Sequence, residues 1–172
     1  MITKNLHNQY VSYFKELAET HKEIGHMQKE KHFSRLDFEE YILGEVSLNF
    51  YPHLILESIE WNTKGQHADN LFLEAAGAIV VVDKYSSRND DFADQQNTLN
   101  NCFNIVQDIL AVMEDDMETL CHDLITYFDI TSVDIQKLAA GTFDNATGYR
   151  CSFSFSKGSI PVEVDSSKWT NR

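Results

Sequence analysis

Seven histidines and three cysteines are the residues of this chain best suited to bind metals or to act in catalysis. His21, His26 and His32 follow one another at steps of five and six residues, so a helix would place them on different faces. The sequence contains no HExxH motif and no paired CxxC motifs. We therefore predict no metal site and no cofactor, with His21 at the edge of a core and His122 on the surface.

Nucleophilic and phosphate-binding motifs are also missing from the sequence. It has no GxSxG elbow, no Walker loop and no GxGxxG. Cys121 precedes His122 directly, but neighbouring residues of a helix point in different directions. Cys151 lies in a stretch of alternating polarity, where cysteine usually serves as a small hydrophobic side chain. We therefore expect a non-enzymatic protein without catalytic residues.

Carboxylates are abundant, and their distribution is uneven. The formal net charge is -13, and no lysine or arginine occurs between Arg88 and Lys137. This span contains Asp90, Asp91, Asp94, Asp108, Glu114, Asp115, Asp116, Glu118, Asp123, Asp129 and Asp134. Two interpretations stay open, a solvated face that keeps the protein soluble and a docking surface for a basic partner. Such a charge excludes sequence-specific nucleic acid and anionic membranes as expected partners.

The length and composition indicate one globular domain. The chain has 172 residues, 42% of them hydrophobic and 24% charged, which are ordinary values for one domain with a core. We expect a single domain over residues 1–172, with an N-terminal helix at 6–24, a core of sheet and helix at 50–156, and an irregular tail at 157–172. The N-terminus lacks an apolar secretion signal, and the longest apolar run is far short of the ~20 residues of a membrane helix. A reduced, cytoplasmic protein is the expectation.

Hydrophobic spacing predicts two main helices. Leu6, Tyr10 and Phe14 begin an apolar stripe in the first helix. The second helix starts at Phe92. Its stripe consists of Phe92, Leu99, Phe103, Val106, Leu110, Met113 and Met117, and it is widened by Cys102, Ile105, Ile109 and Val112. Acids follow from residue 114 to 118, and a helix C-terminus repels anions. Whether this helix continues past 118 is left open, with a bend and a second short helix favoured. The stretch "RLDFEEYILGEVSLNF" is ambiguous, and one reading is a short helix that Asp37 caps and that runs through Leu43, with Gly44 closing it.

Strands are predicted in two pairs. "YPHLILESIEW" reads as one strand, in which Pro52 fits at the first residue or on an edge, and "NTKGQHADN" reads as a loop. "LFLEAAGAIVVVDKYS" is apolar on both parities, which is typical of a strand covered on both faces. Two more strands follow the long helix, and the turn formers "DNATG" separate them. The predicted class is α+β, an antiparallel or mixed sheet with the two main amphipathic helices on one face.

The last strand has two distinct faces. Tyr149, Cys151, Phe153 and Phe155 share one parity, while Arg150, Ser152, Ser154 and Ser156 share the other. We predict that the first set faces the helices and that the second faces water or another subunit. Truncating any of the expected core residues to alanine should cost roughly 2–5 kcal/mol; these are Phe103, Val106, Leu110, Phe153 and Phe155.

The order of elements and the closing "FDNATGYRCSFSFS" resemble small virion proteins of tailed phages and prophages, of the tail-terminator or tail-completion kind. In these proteins a late strand follows a "DN…GW/YR" turn, which here corresponds to Asp144, Asn145, Gly148, Tyr149 and Arg150, with tyrosine in place of the more usual tryptophan. "FYPHLILE" is similar to the stretch that follows their first helices, whereas the region 25–49 does not follow the pattern.

The resemblance implies a ring-forming head–tail completion subunit, expected to be sixfold, that is cytoplasmic in a bacterial host and then part of the virion. Its expected partners are copies of itself and other tail or connector proteins. The assembly candidates are Arg150, Ser152, Ser154, Ser156, Asp115 and Asp116. The loops 62–70 and 85–91 are expected to order on assembly.

Two other functional classes stay open. One is a soluble ligand-binding or regulatory domain with a pocket between helix and sheet, lined by Phe103 and Phe153. The other is an inhibitor that uses the acidic span to occupy a basic, nucleic-acid-binding partner. A ring subunit should assemble with itself, whereas a ligand-binding domain should gain thermal stability from a small molecule.

Overall fold

The computed structural model describes residues 6–37, 48–64, 72–85, 92–120, 122–138 and 145–161. Two helices are present in these ranges, α1 (Leu6–Thr20) and α2 (Phe92–Thr119), together with a short 3-10 helix (Ile125–Tyr127). The six strands are β1 (Phe33–Arg35), β2 (His53–Leu56), β3 (Glu60–Lys64), β4 (Phe72–Lys84), β5 (Phe128–Lys137) and β6 (Ala146–Pro161). They form one sheet, so the predicted α+β class is confirmed.

The sheet is mixed. Its strand order is β1-β2-β4-β6-β5, and β3 pairs with β4 alongside β2. Among the described strands, the short β1 runs parallel to its neighbour β2, and the other pairings are antiparallel. β1 was not predicted, because a three-residue strand carries too little periodicity to be recognised.

The long strand β4 is buried on both faces, as its sequence predicted. Ile79 and Val81 belong to the core beneath the helices. Val80 and Val82 belong to a second cluster on the opposite face, with Ile55, Leu138 and Ala146 among its members. Because both parities lose contact with water, β4 and its partner β6 form the centre of the sheet.

Both helices pack on the face of β6 that was predicted to point inward. Cys151, Phe153 and Phe155 are buried, and the ring of Phe153 stacks on Phe14 of α1 with centroids 5.5 Å apart. Tyr149 is half-buried against Phe103 of α2, with ring centroids 5.3 Å apart. The predicted orientation of this face is therefore confirmed.

The apolar face of α2 is rotated from the predicted stripe. Val106 is fully buried as expected, but Phe103 and Leu110 are only partly buried. Phe92, at the start of the helix, is 71% exposed. Met113 of the stripe is buried as predicted, and Cys102, Ile105 and Ile109, which were predicted only to widen the stripe, are buried as well. When apolar residues cover more than a third of a helix surface, the sequence does not show which of them will lie deepest in the core.

Several predicted boundaries were wrong. The first helix ends at Thr20 rather than at 24, and Gly25 then has φ +57. α2 ends at Thr119, and Leu120 has the positive φ of 55 that reverses the chain. A bend does follow the acidic cluster, but the expected second helix is only the 3-10 turn. The turn exists because Leu124 and Ile125 enter the core directly before β5 begins.

The strand boundaries also differ from the predictions. The single strand expected at 51–61 is divided into β2 and β3, because β4 has 13 residues and can pair with two short strands in succession. Asn62–Lys64 therefore belong to a strand and not to a loop. The tail is not irregular from 157 onward, since β6 continues to Pro161 opposite Phe72. The predicted helix after Asp37, the loops 65–70 and 86–91, and residues 162–172 lie outside the described residues.

Candidate functional site

The face of β6 that neither α1 nor α2 covers carries the hydroxyl row predicted for assembly. The side chains of Ser152, Ser154 and Ser156 are half-buried on this face. The hydroxyls of Ser154 and Ser156 lie 3.1 Å apart, and Ser156 Oγ donates to Asp129 Oδ2 over 3.1 Å. Because neighbouring side chains hold these hydroxyls in place, little rotamer entropy would be lost if a partner contacted them.

An irregularity in β5 supports this row. Asp129 pairs with Ser154 and Asp134 pairs with Ser152. Four residues of β5 therefore lie between the two pairs, whereas β6 has a single residue there, and the extra residues of β5 form a bulge. Within the bulge, the Ser132 hydroxyl accepts a hydrogen bond from the Ser154 amide over 2.7 Å. The bulge thereby satisfies a backbone donor that the ladder leaves unpaired.

Arg150 lies on the same face but already has a partner within the chain. Its Nε donates to Glu57 Oε1 and its Nη2 to Glu57 Oε2, each over 2.7 Å. The two side chains are 31% and 13% exposed, and the hydrogen bond to Glu57 is the main cause of a raised Arg150 pKa. Since Glu57 directly follows β2, the pair reaches across β4 to connect strands that are not neighbours.

This bidentate pair should contribute measurably to stability. We expect Arg150→Met to lower the free energy of unfolding by about 2 kcal/mol, because it leaves a partly buried carboxylate without its cation. In a double-mutant cycle with Glu57→Gln, measured by urea denaturation, the coupling energy should be about 1–2 kcal/mol. The exposed pair Lys15–Glu19 is the matched control and should couple by less than about 0.5 kcal/mol. Equal coupling in both pairs would contradict this prediction.

Asp115 and Asp116 lie at the end of α2, in the helix layer. Asp116 is half-buried and accepts a hydrogen bond of 2.8 Å from the Tyr13 hydroxyl of α1, while Asp115 is exposed. The helices cover one face of the sheet and the serines lie on the other, so the six predicted residues divide between two separate surfaces. The hydroxyl of Tyr13 also supplies part of the compensation that acids at a helix C-terminus require.

A polar cleft lies between α1 and the segment after α2. It has a volume of about 310 Å³ and is lined by Gln9, Ser12, Tyr13, Glu16, His122, Asp123, Leu124 and Ile125. The His122 ring contacts the Tyr13 ring edge-on at 4.9 Å, so His122 lies at a cleft wall. The rings of Phe103 and Phe153, predicted to line a pocket, instead pack against Tyr149 and Phe14. No sequence signal pointed to the observed cleft, because it joins segments more than a hundred residues apart.

Structural contacts hold both cysteines of the described ranges, together with His21, His26, His32 and His53. Cys102 and Cys151 are buried, and burial raises the pKa of each thiol to about 12, so both stay protonated. His21 is largely buried beside Asp108 at 3.4 Å, as expected for a core-edge histidine. His26, His32 and His53 meet near the start of β1 and β2, which helical spacing could not reveal. Within the described ranges, no group of three or more histidine, cysteine or acidic residues could hold a metal ion.

Comparison with known proteins gives no assignment. Among the described residues, no helix has the length and apolar character needed to cross a membrane. No family model matches the chain, and no significant match is found among curated proteins or solved structures.

Proposed function

We propose that this chain is a non-enzymatic structural subunit of a tailed phage or prophage, which assembles with copies of itself into a ring as tail-terminator or tail-completion proteins do. The observation that carries the proposal is the fixed row of hydroxyls on the face of β6 opposite α1 and α2. Ser152, Ser154 and Ser156 are half-exposed there, opposite the aromatic face that forms the core. A preorganised row of polar side chains suits reversible contact between folded subunits.

The separation of the candidate residues also supports a ring. A closed ring requires a head-to-tail interface, in which one patch of each subunit meets a different patch of the next. The hydroxyl row and the acidic end of α2 lie on different sides of the molecule, as such an interface needs. The outer strand β5, in contrast, carries Asp129, Asp134 and a bulge, which are features that discourage pairing through a strand edge. The face of the sheet is therefore the preferred contact.

The acidic charge would have a specific role in this assembly. A ring whose inner wall carries exposed acids outside this interface would repel the phosphate backbone of DNA. DNA could then pass through the ring without adhering to it. Contacts to other tail or head–tail connector proteins would use whichever patches the ring leaves open.

The proposal is tested by the mass of the protein in solution. Light scattering from low to high micromolar concentration should reveal a species several times heavier than the 19.8 kDa chain. Ser154→Arg should abolish this species, because it places a long charged side chain in the centre of the hydroxyl row. Asn104→Arg introduces the same side chain at an exposed position of α2 and should assemble normally.

Three outcomes would contradict a ring subunit. The first is a monomer at every concentration, and the second is equal assembly of both folded variants. The third is a monomer whose thermal stability rises with a small molecule, which would instead indicate a ligand-binding domain. Selective capture of a basic, DNA-binding protein would support the inhibitor class.

A further inference from the structure

Exposed positive charge is concentrated at one edge of the sheet. β1 is an outer strand of the order β1-β2-β4-β6-β5. Lys29, Lys31 and Arg35, in β1 and the loop that precedes it, are all exposed. Residues 29–35 contain these three cations and one acid, Glu30, so the segment is positive in a chain whose net charge is -13. We name Lys29, Lys31 and Arg35 the basic edge.

The polar cleft lies beside the opposite edge of the sheet. Its residues 122–125 lead through the 3-10 helix into β5, the other outer strand. Glu16 and Asp123 line the cleft, and both are exposed. Tyr13, which also lines it, donates to Asp116, so the acidic end of α2 adjoins the cleft. None of the described lining residues is a lysine or an arginine. The cleft and the basic edge therefore have opposite charge.

The lining of the cleft matches the side chain of an arginine. A guanidinium offers five N–H donors, and the carboxylates of Glu16 and Asp123 are strong acceptors for them. The Ser12 hydroxyl donates to the Asn8 carbonyl over 2.7 Å, so its lone pairs remain for an incoming donor. Leu124 and Ile125 supply apolar surface for the methylene groups of the side chain. The volume of about 310 Å³ is suited to one side chain rather than to a folded segment.

Arg35 is the arginine that fits this role. Of the two arginines in the described ranges, Arg150 is already paired with Glu57, whereas Arg35 is exposed and forms no ion pair with another described residue. Arg35 therefore loses no internal ion pair when it binds a partner. β1 and β5 are four strand spacings apart, about 19 Å at the usual ~4.8 Å. Because this exceeds the length of the side chain, the cleft that Arg35 enters belongs to a second copy.

We propose that the basic edge of one subunit docks on the polar cleft of the next, with Arg35 seated between the carboxylates of Glu16 and Asp123. The inference rests on the proposed ring, in which the acidic end of α2 is one contacting patch, and it adds the groups that this patch meets. Contact between opposite charges orients two strongly acidic subunits head to tail, because their other surfaces repel each other.

The basic edge and the hydroxyl row are close enough to share one interface. Arg35 pairs with Leu56, Leu56 with Ile79, and Ile79 with Cys151, the residue before Ser152. Arg35 is thus in line with the start of the row at three strand spacings, about 14 Å. An interface of standard size, roughly 800 Å² on each subunit, is wide enough to include both.

Charge reversal and rescue, followed by light scattering, test the contact. Arg35→Glu should raise the concentration needed for assembly at least about tenfold, because it sets a carboxylate against the acidic cleft. Glu16→Lys combined with Asp123→Lys should have the same effect, since it sets cations against Arg35. A variant with all three substitutions restores opposite charges and should assemble near the concentration of the unmodified protein. Lys137→Glu changes the net charge as Arg35→Glu does, at an exposed position outside both patches, and should assemble normally.

The outcomes separate this contact from the ring itself. Normal assembly of Arg35→Glu, or no recovery in the folded triple variant, would overturn the contact and leave the ring standing. A monomeric unmodified protein at every concentration would overturn both proposals. If circular dichroism shows that a variant is unfolded, the unmodified protein decides. Raising NaCl from about 50 to about 500 mM should weaken its assembly at least about tenfold, because salt screens exposed charges. Assembly that salt leaves unchanged or strengthens would overturn the contact.

Discussion

Replacing Gly148 with alanine should prevent stable folding. A Cβ atom at this position would lie 1.9 Å from the carbonyl oxygen of Val81 and 2.9 Å from its carbonyl carbon. Both belong to the backbone of β4, the strand on which β6 pairs, so no side chain can move away to make room. Any displacement of Gly148 would also strain the hydrogen bond of 2.9 Å that its carbonyl accepts from the Leu138 amide. We expect a loss of at least about 4 kcal/mol in the free energy of unfolding, a large part of the stability of a typical domain.

Circular dichroism in urea, together with the yield of soluble protein, measures this effect. Gly25→Ala is the matched control, because its Cβ would meet only the Lys22 carbonyl oxygen at 3.7 Å. Its cost should be limited to about 1 kcal/mol, from the positive φ of +57. A Gly148→Ala protein as stable as the Gly25→Ala protein would show that the two strands do not approach as described.

Truncating Phe155 to alanine should cause the second largest loss, about 3–5 kcal/mol in the free energy of unfolding. The side chain is fully buried, and its ring contacts Phe153 at 5.6 Å, Tyr10 at 6.2 Å and Phe128 at 6.4 Å between centroids. These rings come from α1, β5 and β6, so the cavity would lie where three elements meet and could not close by a single local shift. Chemical denaturation followed by tryptophan fluorescence measures the change.

Phe92 provides the comparison for this truncation. It is 71% exposed at the start of α2, so Phe92→Ala removes the same atoms from a position that water already reaches. We expect a change within about 0.5 kcal/mol. Similar losses for the two variants would mean that Phe155 is not at the centre of the core.

The parts of the fold that could be predicted are those with a long, regular pattern. Phe153 and Phe155 alternate with serines, and a period of two can only be satisfied by a strand with one buried face. The apolar residues of 79–82 occupy both parities, which correctly indicated a strand covered on both sides. These patterns are local, so the sequence contains them in full.

The features that escaped prediction depend on distant parts of the chain. β1 has three residues and becomes a strand only because β2 is beside it. The division between β2 and β3 follows from the length of β4, and the extension of β6 to Pro161 follows from pairing with Phe72. The contact of His32 with the Pro52 carbonyl and the cleft beside Tyr13 likewise join segments that are separate in sequence. The spacing of residues along the chain contains no information about such tertiary contacts.

The Arg150–Glu57 pair and Gly148 together fix the register in which β6 pairs with β4. A slide of β6 by two residues would keep every aromatic side chain inward and every hydroxyl outward, so burial alone hardly distinguishes the two alignments. Such a slide would move the guanidinium away from Glu57 and bring Ala146 or Arg150 to the place where the Val81 carbonyl admits only a glycine. One ion pair and one glycine thus specify a single register for a strand whose alternating sequence would allow several.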